Sequence, residues 1–501
     1  MTLFKHSTEH ADDDATLAHL GYPQQLRRSL GFLSLFTVSF SVISITTGLF
    51  TNLGFGLTNF GPAAIWTWPI VVVGMLIVSL ILSELGSRMP IAGIGYQWAS
   101  RLVSPSLGFI VAMLIFSAFM LASGGETLLL IAPLMANVFG FTGASTAELA
   151  LLSVGIFILI ALINILSVKL TARVNNVSLV TEILGTVVLG VILVIVALTS
   201  SHPVHASILF NTHNPAHNAA LYGFALAALM SVFTLEGQES ASDLGEEGIG
   251  VRLGVPRAIL GSVILSGIFG MITLICVALA IPNLDAAASS PTPIAYITNY
   301  WLGGAAGKLF LVFIIYSVFA LIVVSIAAMA RLLFSLARDN MLPASKTIGK
   351  VNEKTQTPIN AIVITTSLFI IVMLIAAIFP STYAILIAST PILAYIGYLT
   401  ITVSYAIRRR HVSHIPTGFD LGKWAAPVFA VAFIYLIVVL GILTLPHVFY
   451  AADRTVGIVI AIAVVYYFAW LRPKITRGEA GRSLLRDPAS PALTDTEQPG
   501  A

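Results

Sequence analysis

Twelve apolar stretches recur along this chain, and that repetition limits its fold more than any motif does. A helix of about 20 apolar residues crosses the hydrocarbon core of a bilayer. At that depth every main-chain polar group must find its partner inside the protein, as a helix provides. The stretches are 31–57, 63–84, 105–138, 148–168, 175–200, 220–243, 257–281, 306–335, 359–379, 382–406, 425–446 and 455–472. With 57% of residues hydrophobic and 9% charged, the composition lies far outside that of soluble domains. The reading is an all-α integral membrane protein of about twelve transmembrane helices. Residues 1–28 are polar, with acids at 12–14, and show no apolar core of the kind a secretory signal carries. The one cysteine, Cys276, falls inside a span, so no intrachain disulfide can form.

An even number of spans puts both termini on one side, and the basic residues test that count. Of the 25 lysines and arginines, 23 fall in the two tails or in the even-to-odd connections, leaving only Lys308 and Arg454 opposite. Basic residues concentrate on the cytoplasmic side of membrane proteins. Both termini are therefore expected in the cytoplasm, with the 201–219 loop outside, in a plasma or inner membrane.

Two spans are interrupted by polar residues. The sixth carries Glu236-Gly-Gln-Glu239, two carboxylates and a glycine where a lipid-facing helix would have leucine. A charge at membrane depth costs several kcal/mol unless it faces a bundle interior or a watered cavity. Gly237 relaxes the backbone there. The first span gathers Ser44, Thr46, Thr47 and Gly48 near its middle, followed by Gly54 and Gly56. Each break has a structural reading, a kink with paired acids in the sixth or glycine for close packing in the first, and a functional one, a substrate and ion site. Two broken helices five spans apart fit the paired repeats of secondary transporters, whose sites lie near the midplane.

Between the second and third spans lies Glu84-Leu-Gly-Ser-Arg88-Met-Pro90-Ile-Ala-Gly93-Ile-Gly95-Tyr96-Gln-Trp98. Its proline and glycines argue against a regular helix, and its aromatics suit a membrane interface. This stretch resembles the cytoplasmic hallmark of the amino acid–polyamine–organocation permeases. Ser44-Ile-Thr-Thr-Gly48, Gly237-Gln-Glu-Ser-Ala241 before Glu246-Glu247, Val255-Pro-Arg-Ala258, and Ala330-Arg-Leu-Leu-Phe334 before Ala337-Arg-Asp-Asn-Met-Leu-Pro343 follow in family order. Asn52-Leu-Gly-Phe-Gly-Leu-Thr-Asn59-Phe-Gly-Pro62 is similar to the amino acid and choline transporter branch, which includes GABA permeases. The resemblance implies a 5+5 inverted repeat with broken helices 1 and 6, followed by two peripheral helices. Residues 1–30 and 473–501 would be cytoplasmic tails, 31–200 and 220–406 the two repeats, 201–219 an outer loop and 407–472 the peripheral pair.

In such permeases the substrate carboxylate meets the opened first span, which implies Ser44, Ile45, Thr46, Thr47 and Gly48 here. The amine meets exposed carbonyls of the opened sixth span, implying Phe233, Thr234, Glu236 and Gly237, with Phe233 as an aromatic gate. Glu239 matches a glutamate carried by relatives. Glu236 departs from the family pattern and suits a substrate amine, a proton or an ion pair. Glu182, in the fifth span, lies near a lysine of proton-coupled relatives; it and Glu239 are both candidate proton carriers, with the intramembrane Glu126 ranked below them. Helix amino ends favour carboxylates, so Glu239 is expected at a helix amino end and Glu182 to have burial alone. Ser325 would ligate sodium only in a sodium-coupled protein; otherwise it is helix packing. His202, His205, His213 and His217 lack cysteine or acid partners for a metal site.

The reading is a secondary active transporter of an amino acid or related amine, coupled to protons or working by exchange. A sensor with the transporter fold and a sodium-coupled choline- or GABA-type symporter are the alternatives. No selectivity-filter loop indicates a channel, and no zinc-protease, nucleophile-elbow or phosphate-loop motif indicates an enzyme or a nucleotide-driven pump. No cofactor and no nucleic acid are expected; the partners are a small-molecule substrate and lipid, with monomer and homodimer both open. Single cysteines at Thr212 and Ser490, on a Cys276→Ser background, should label from opposite faces of the membrane with an impermeant reagent. Labelling from one face would overturn the topology.

Overall fold

The computed structural model describes residues 13–481, apart from 15–16, 19, 142, 201–204, 291, 380–381, 414 and 416. His202 and Ser490 therefore lie outside the described residues. Among the described residues, ten helical stretches are long and apolar enough to cross a membrane. One of them, Phe32–Arg88, holds both the first and second spans, and the shorter Ala220–Thr234 completes the twelve. The architecture is the all-α membrane fold expected.

The first span is two helices, Phe32–Val42 and Ile45–Phe60, separated by Ile43 and Ser44. The sixth is Ala220–Thr234, then an opened segment, then one short turn, Ser240–Asp243. The eighth runs within Pro293–Arg338, interrupted at Gly303 by φ 61°, so a short outer helix leads into the span proper. The second-to-third connection differs from expectation. Gly93 takes the left-handed φ of 81° that starts a helix, Ile94–Leu102, despite Gly95 within it. Tyr96 and Trp98 are fully buried rather than interfacial, with Tyr96 Oη donating to Asp339 Oδ2 at 2.6 Å and Trp98 Nε1 to the Met89 carbonyl at 3.2 Å. Both side chains bury an apolar ring while satisfying their one polar atom, which suits protein interior as well as an interface.

The packing partners carry the signature of a repeat. The second span packs on the seventh and the fourth on the ninth, while the third packs on the tenth and the fifth on the eighth. Exchanging each span with the one five places away returns the same set of pairs. The second half of the first span lies along the first half of the sixth, at the centre of this arrangement. The last two spans stand outside it: 22% of each is buried, against 67% of the third and 78% of the tenth. They are the peripheral pair.

The basic end of the bundle is closed by buried ion pairs drawn from the motif residues. Arg331 Nε meets Glu247 Oε1 at 2.9 Å, and Arg338 meets Glu246 at 2.8 Å, all four side chains being buried. Glu84 accepts from Arg88 Nε at 3.1 Å, Arg409 Nε at 3.1 Å and Tyr405 Oη at 2.8 Å. Asp420, in the adjoining loop, is held below the usual carboxylate range first by the Gly422 N–H and also by Arg88 and Arg409. The segment before the first span is stitched over this end. Ser29 and Leu30 N–H both donate to the Glu247 carbonyl at 2.9 Å, Ile249 N–H returns to Leu30 at 3.0 Å, and Tyr22 Oη donates to Asp339 at 2.7 Å. Removing one partner of a buried pair strands the other charge, at a cost of about 3–5 kcal/mol. Arg331→Ala should therefore lower thermal stability in detergent markedly, while Arg331→Met paired with Glu247→Leu should lose much less. Equal losses would mean that a stranded Glu247 charge is not what lowers the stability.

Candidate functional site

The break in the first span is small and fully capped. Ser44 has an extended backbone (φ −64°, ψ 104°), and its Oγ accepts from Thr47 N at 3.1 Å and Thr47 Oγ1 at 2.8 Å. A serine at a helix start satisfies one of the amides that the missing previous turn leaves free. Glu182, from the fifth span, takes the next: Thr46 N–H donates to Glu182 Oε1 at 3.2 Å. Gly48 N–H is already helical, donating to Ser44 O at 3.0 Å. The opening is thus two residues long, and Thr46 to Gly48 belong to the helix that follows rather than to unwound chain.

The sixth span opens later than expected, over Leu235 to Glu239, with Phe233 and Thr234 still in the helix. Gly237 adopts φ 82°, a conformation open to glycine at little cost. Two side chains from other spans replace the lost helical hydrogen bonds. Tyr398 Oη, from the tenth span, accepts from Gly237 N at 2.8 Å and donates to Glu239 Oε2 at 2.9 Å. Ser39 Oγ, from the first span, donates to Gln238 O at 2.6 Å and accepts from Ala241 N at 3.0 Å.

Between the two breaks lies a small cavity of about 50 Å³. Ser44, Thr47, Gly48, Phe233, Thr234, Glu236 and Gly237 all line it, as do Glu126, Glu239 and Ser325. Ile45 and Thr46 do not, and neither does Glu182, which stands behind the first span. Ser325 donates to the Leu321 carbonyl at 2.9 Å in its own helix. The surroundings expected of two carboxyls are exchanged. Glu182, not Glu239, holds the amino end of a long helix, because the fifth span packs against the first break, whereas Glu239 precedes a single turn and is met by a phenol.

The third and tenth spans complete the wall with Phe119, Ser123, Thr390 and Tyr398. Tyr398 is the principal residue that sequence reasoning missed. A tyrosine pair, Tyr395 and Tyr398, inside an apolar span was the available signal. Three carboxylates face the cavity, and among the described residues no lysine, arginine or histidine lines it. Oε2 of Glu126 and Oε2 of Glu236 are buried without a hydrogen-bond partner. Outside the bundle, His213 stands 3.9 Å from Asp285, and among the described residues no metal-binding group of three or more histidine, cysteine or acid side chains gathers.

Gly48 is where the two broken helices touch. A Cβ there would lie 1.8 Å from Thr234 Oγ1 and 2.5 Å from Thr234 Cβ. Overpacking a close contact costs about 1–3 kcal/mol. Gly48→Ala should lower both thermal stability and substrate binding, and adding Thr234→Gly should restore much of the stability. A Gly48→Ala protein of unchanged stability would mean that the helices have slack at this point.

Residues 30–470 match the family model described as amino acid permease. The chain is 24% identical over 465 residues to the amino-acid permease BAT1 of Arabidopsis thaliana, covering 86% of this chain and 88% of that protein. It is 25% identical over 458 residues to the amino-acid permease BAT1 homolog of Oryza sativa subsp. japonica, covering 86% and 87%.

Proposed function

Since the chain belongs to the amino acid permease family, we propose that it is a secondary active transporter of an amino acid or related amine, working by alternating access and coupled to protons. Its place is the plasma or inner membrane, with both termini cytoplasmic. The observation that carries this reading is the cavity between the two broken helices, with its uncompensated carboxylate oxygens on Glu126 and Glu236. A buried carboxylate without a partner is costly, and a cationic substrate or a proton relieves that cost in the loaded state. The closed basic end, held by Glu246, Glu247, Arg331 and Arg338, is the barrier that must open to release substrate.

Coupling needs a group that is protonated in one facing state and released in the other. Glu239 suits this role. It faces the cavity and is met by one neutral hydroxyl, so substrate and proton can reach it. Glu126 faces the same space and is the second candidate. Glu182, which holds the Thr46 N–H, stays with the helix end it caps and holds the first break in shape.

Uptake into proteoliposomes should rise when an inward proton gradient is imposed and should not require sodium. Glu239→Gln, fixed in the neutral form, should lose gradient-driven accumulation and flatten the pH dependence while retaining substrate exchange. Glu182→Gln should impair transport at every pH, because it loosens the cap on the first break. A wild-type pH profile in Glu239→Gln would move the proton elsewhere. Dependence on a sodium gradient would replace the proton altogether.

A further inference from the structure

Resting on the proton-coupled reading, we infer a second route through the bundle, for protons alone. A strip of polar side chains between the second, sixth and tenth spans holds ordered water and links Glu239 to the basic end. Ser79 and Ser83 of the second span, Gln238 and Ser242 of the sixth and Thr402 of the tenth are fully buried. Among the described residues, neither those four hydroxyls nor either polar atom of the Gln238 amide has a hydrogen-bond partner. Helix hydroxyls commonly rest on a carbonyl of the preceding turn, as Thr400 and Ser404 do in the tenth span at 2.8 and 2.7 Å. Thr402, between them, does not. Buried polar groups that lack a protein partner are the ones that ordered water serves.

The helix register sets these groups in line. In the second span Met75, Ser79 and Ser83 recur at four-residue spacing, and in the tenth Tyr398, Thr402 and Tyr405 share a face at spacings of four and three. The two faces meet above and below: Tyr395 Oη donates to Met75 Sδ at 3.2 Å, and Tyr405 Oη to Glu84 Oε2 at 2.8 Å. The unpaired hydroxyls lie between those contacts. Ser242 joins them from the sixth span, since a Cβ on Gly86, one turn past Ser83, would stand 2.7 Å from its Oγ. Tyr398 is where the strip meets the cavity. It lines the cavity with Glu239, whereas Gln238, Ser79, Ser83, Ser242 and Thr402 do not. The other titratable groups on the cavity are Glu126 and Glu236. Tyr398 Oη accepts from Gly237 N and donates to Glu239 Oε2. A phenol accepts and donates at once, so it can take the carboxyl proton of Glu239 as its own hydrogen passes to water. Glu239 is then ionised and the phenol again neutral. From Tyr398 to Tyr405 is about 10 Å of helix rise, a gap that the hydroxyls and a few waters bridge. At the far end Tyr405, Arg88 and Arg409 share Glu84, and Asp420, its side chain 49% exposed, bonds the same two arginines.

Net uptake and exchange separate the two routes. Full-length protein in proteoliposomes would be offered a panel of labelled amino acids, with an enclosed pH dye reading proton influx. Thr402→Val and Ser83→Ala, each removing one hydroxyl, should slow proton influx and gradient-driven uptake by about tenfold or more, a modest share of what a positioned proton-transfer group contributes. Exchange of labelled for unlabelled substrate, which moves no net proton, should continue. Should one variant fail to fold, the other decides. Thermal stability in detergent gives an independent measure. In a hydrated strip the hydroxyl is satisfied, so Thr402→Val should leave the melting temperature level or lower it, whereas in a dry strip the same change would raise it. A raised melting temperature, or wild-type proton influx in the variants, would overturn the inference and leave the permease reading standing. An equal loss of exchange would tie the strip to the conformational change and overturn it as well. Wild-type uptake without proton influx would bring down the proton coupling along with the inference.

Discussion

A break in a helix at membrane depth frees main-chain donors and acceptors that no water can reach, and the structure is organised around satisfying them. Each break is braced by side chains from elsewhere in the bundle: the first by Glu182, the sixth by Tyr398 and Ser39. These braces reach in from the fifth, tenth and first spans. The two openings are therefore held by both halves of the chain at once. Irregular backbone is tolerated at this depth only where protein or a cavity supports it. Here protein supports one side of each break and the cavity lies on the other.

The charged residues divide into two populations with different logic. At the basic end, the acids Glu84, Glu246 and Glu247 are each paired with arginine. Such pairs return little net stability for the desolvation they entail, and they fix which pieces close against which. In the middle of the bundle, Glu126 and Glu236 keep an unpartnered oxygen. The first group is ion-paired across the end of the bundle, whereas among the described residues no cationic side chain lines the cavity that the second group faces.

How much of this could be read from the sequence depended on whether the signal was local. Span count rests on apolar length, and the polar interruptions at Ser44 and Glu236 are visible as residues, so the architecture and half of the cavity lining were legible. The extent of each opening was not. Ser44 caps the first break so tightly that Thr46 and Gly48 are helical, and Leu235 to Glu239 is stabilised by a tyrosine about 160 positions away. Tyr96 and Trp98 were misplaced for the same reason: an amphipathic ring fits an interface and a satisfied interior equally well. Likewise, no local pattern could show that Glu182 reaches the first break.

The stitching of Ser29 and Leu30 to the chain around Glu247 and Ile249 has a mechanical consequence. The first and sixth spans already touch at Gly48 and Thr234, so they are pinned to each other at two heights, one mid-depth and one at the basic end. Two bodies joined at two points cannot swivel about either. Any movement of the pair would carry both together or would first break the lower pin. In that light the residues ahead of the first span would act as a catch on any such movement.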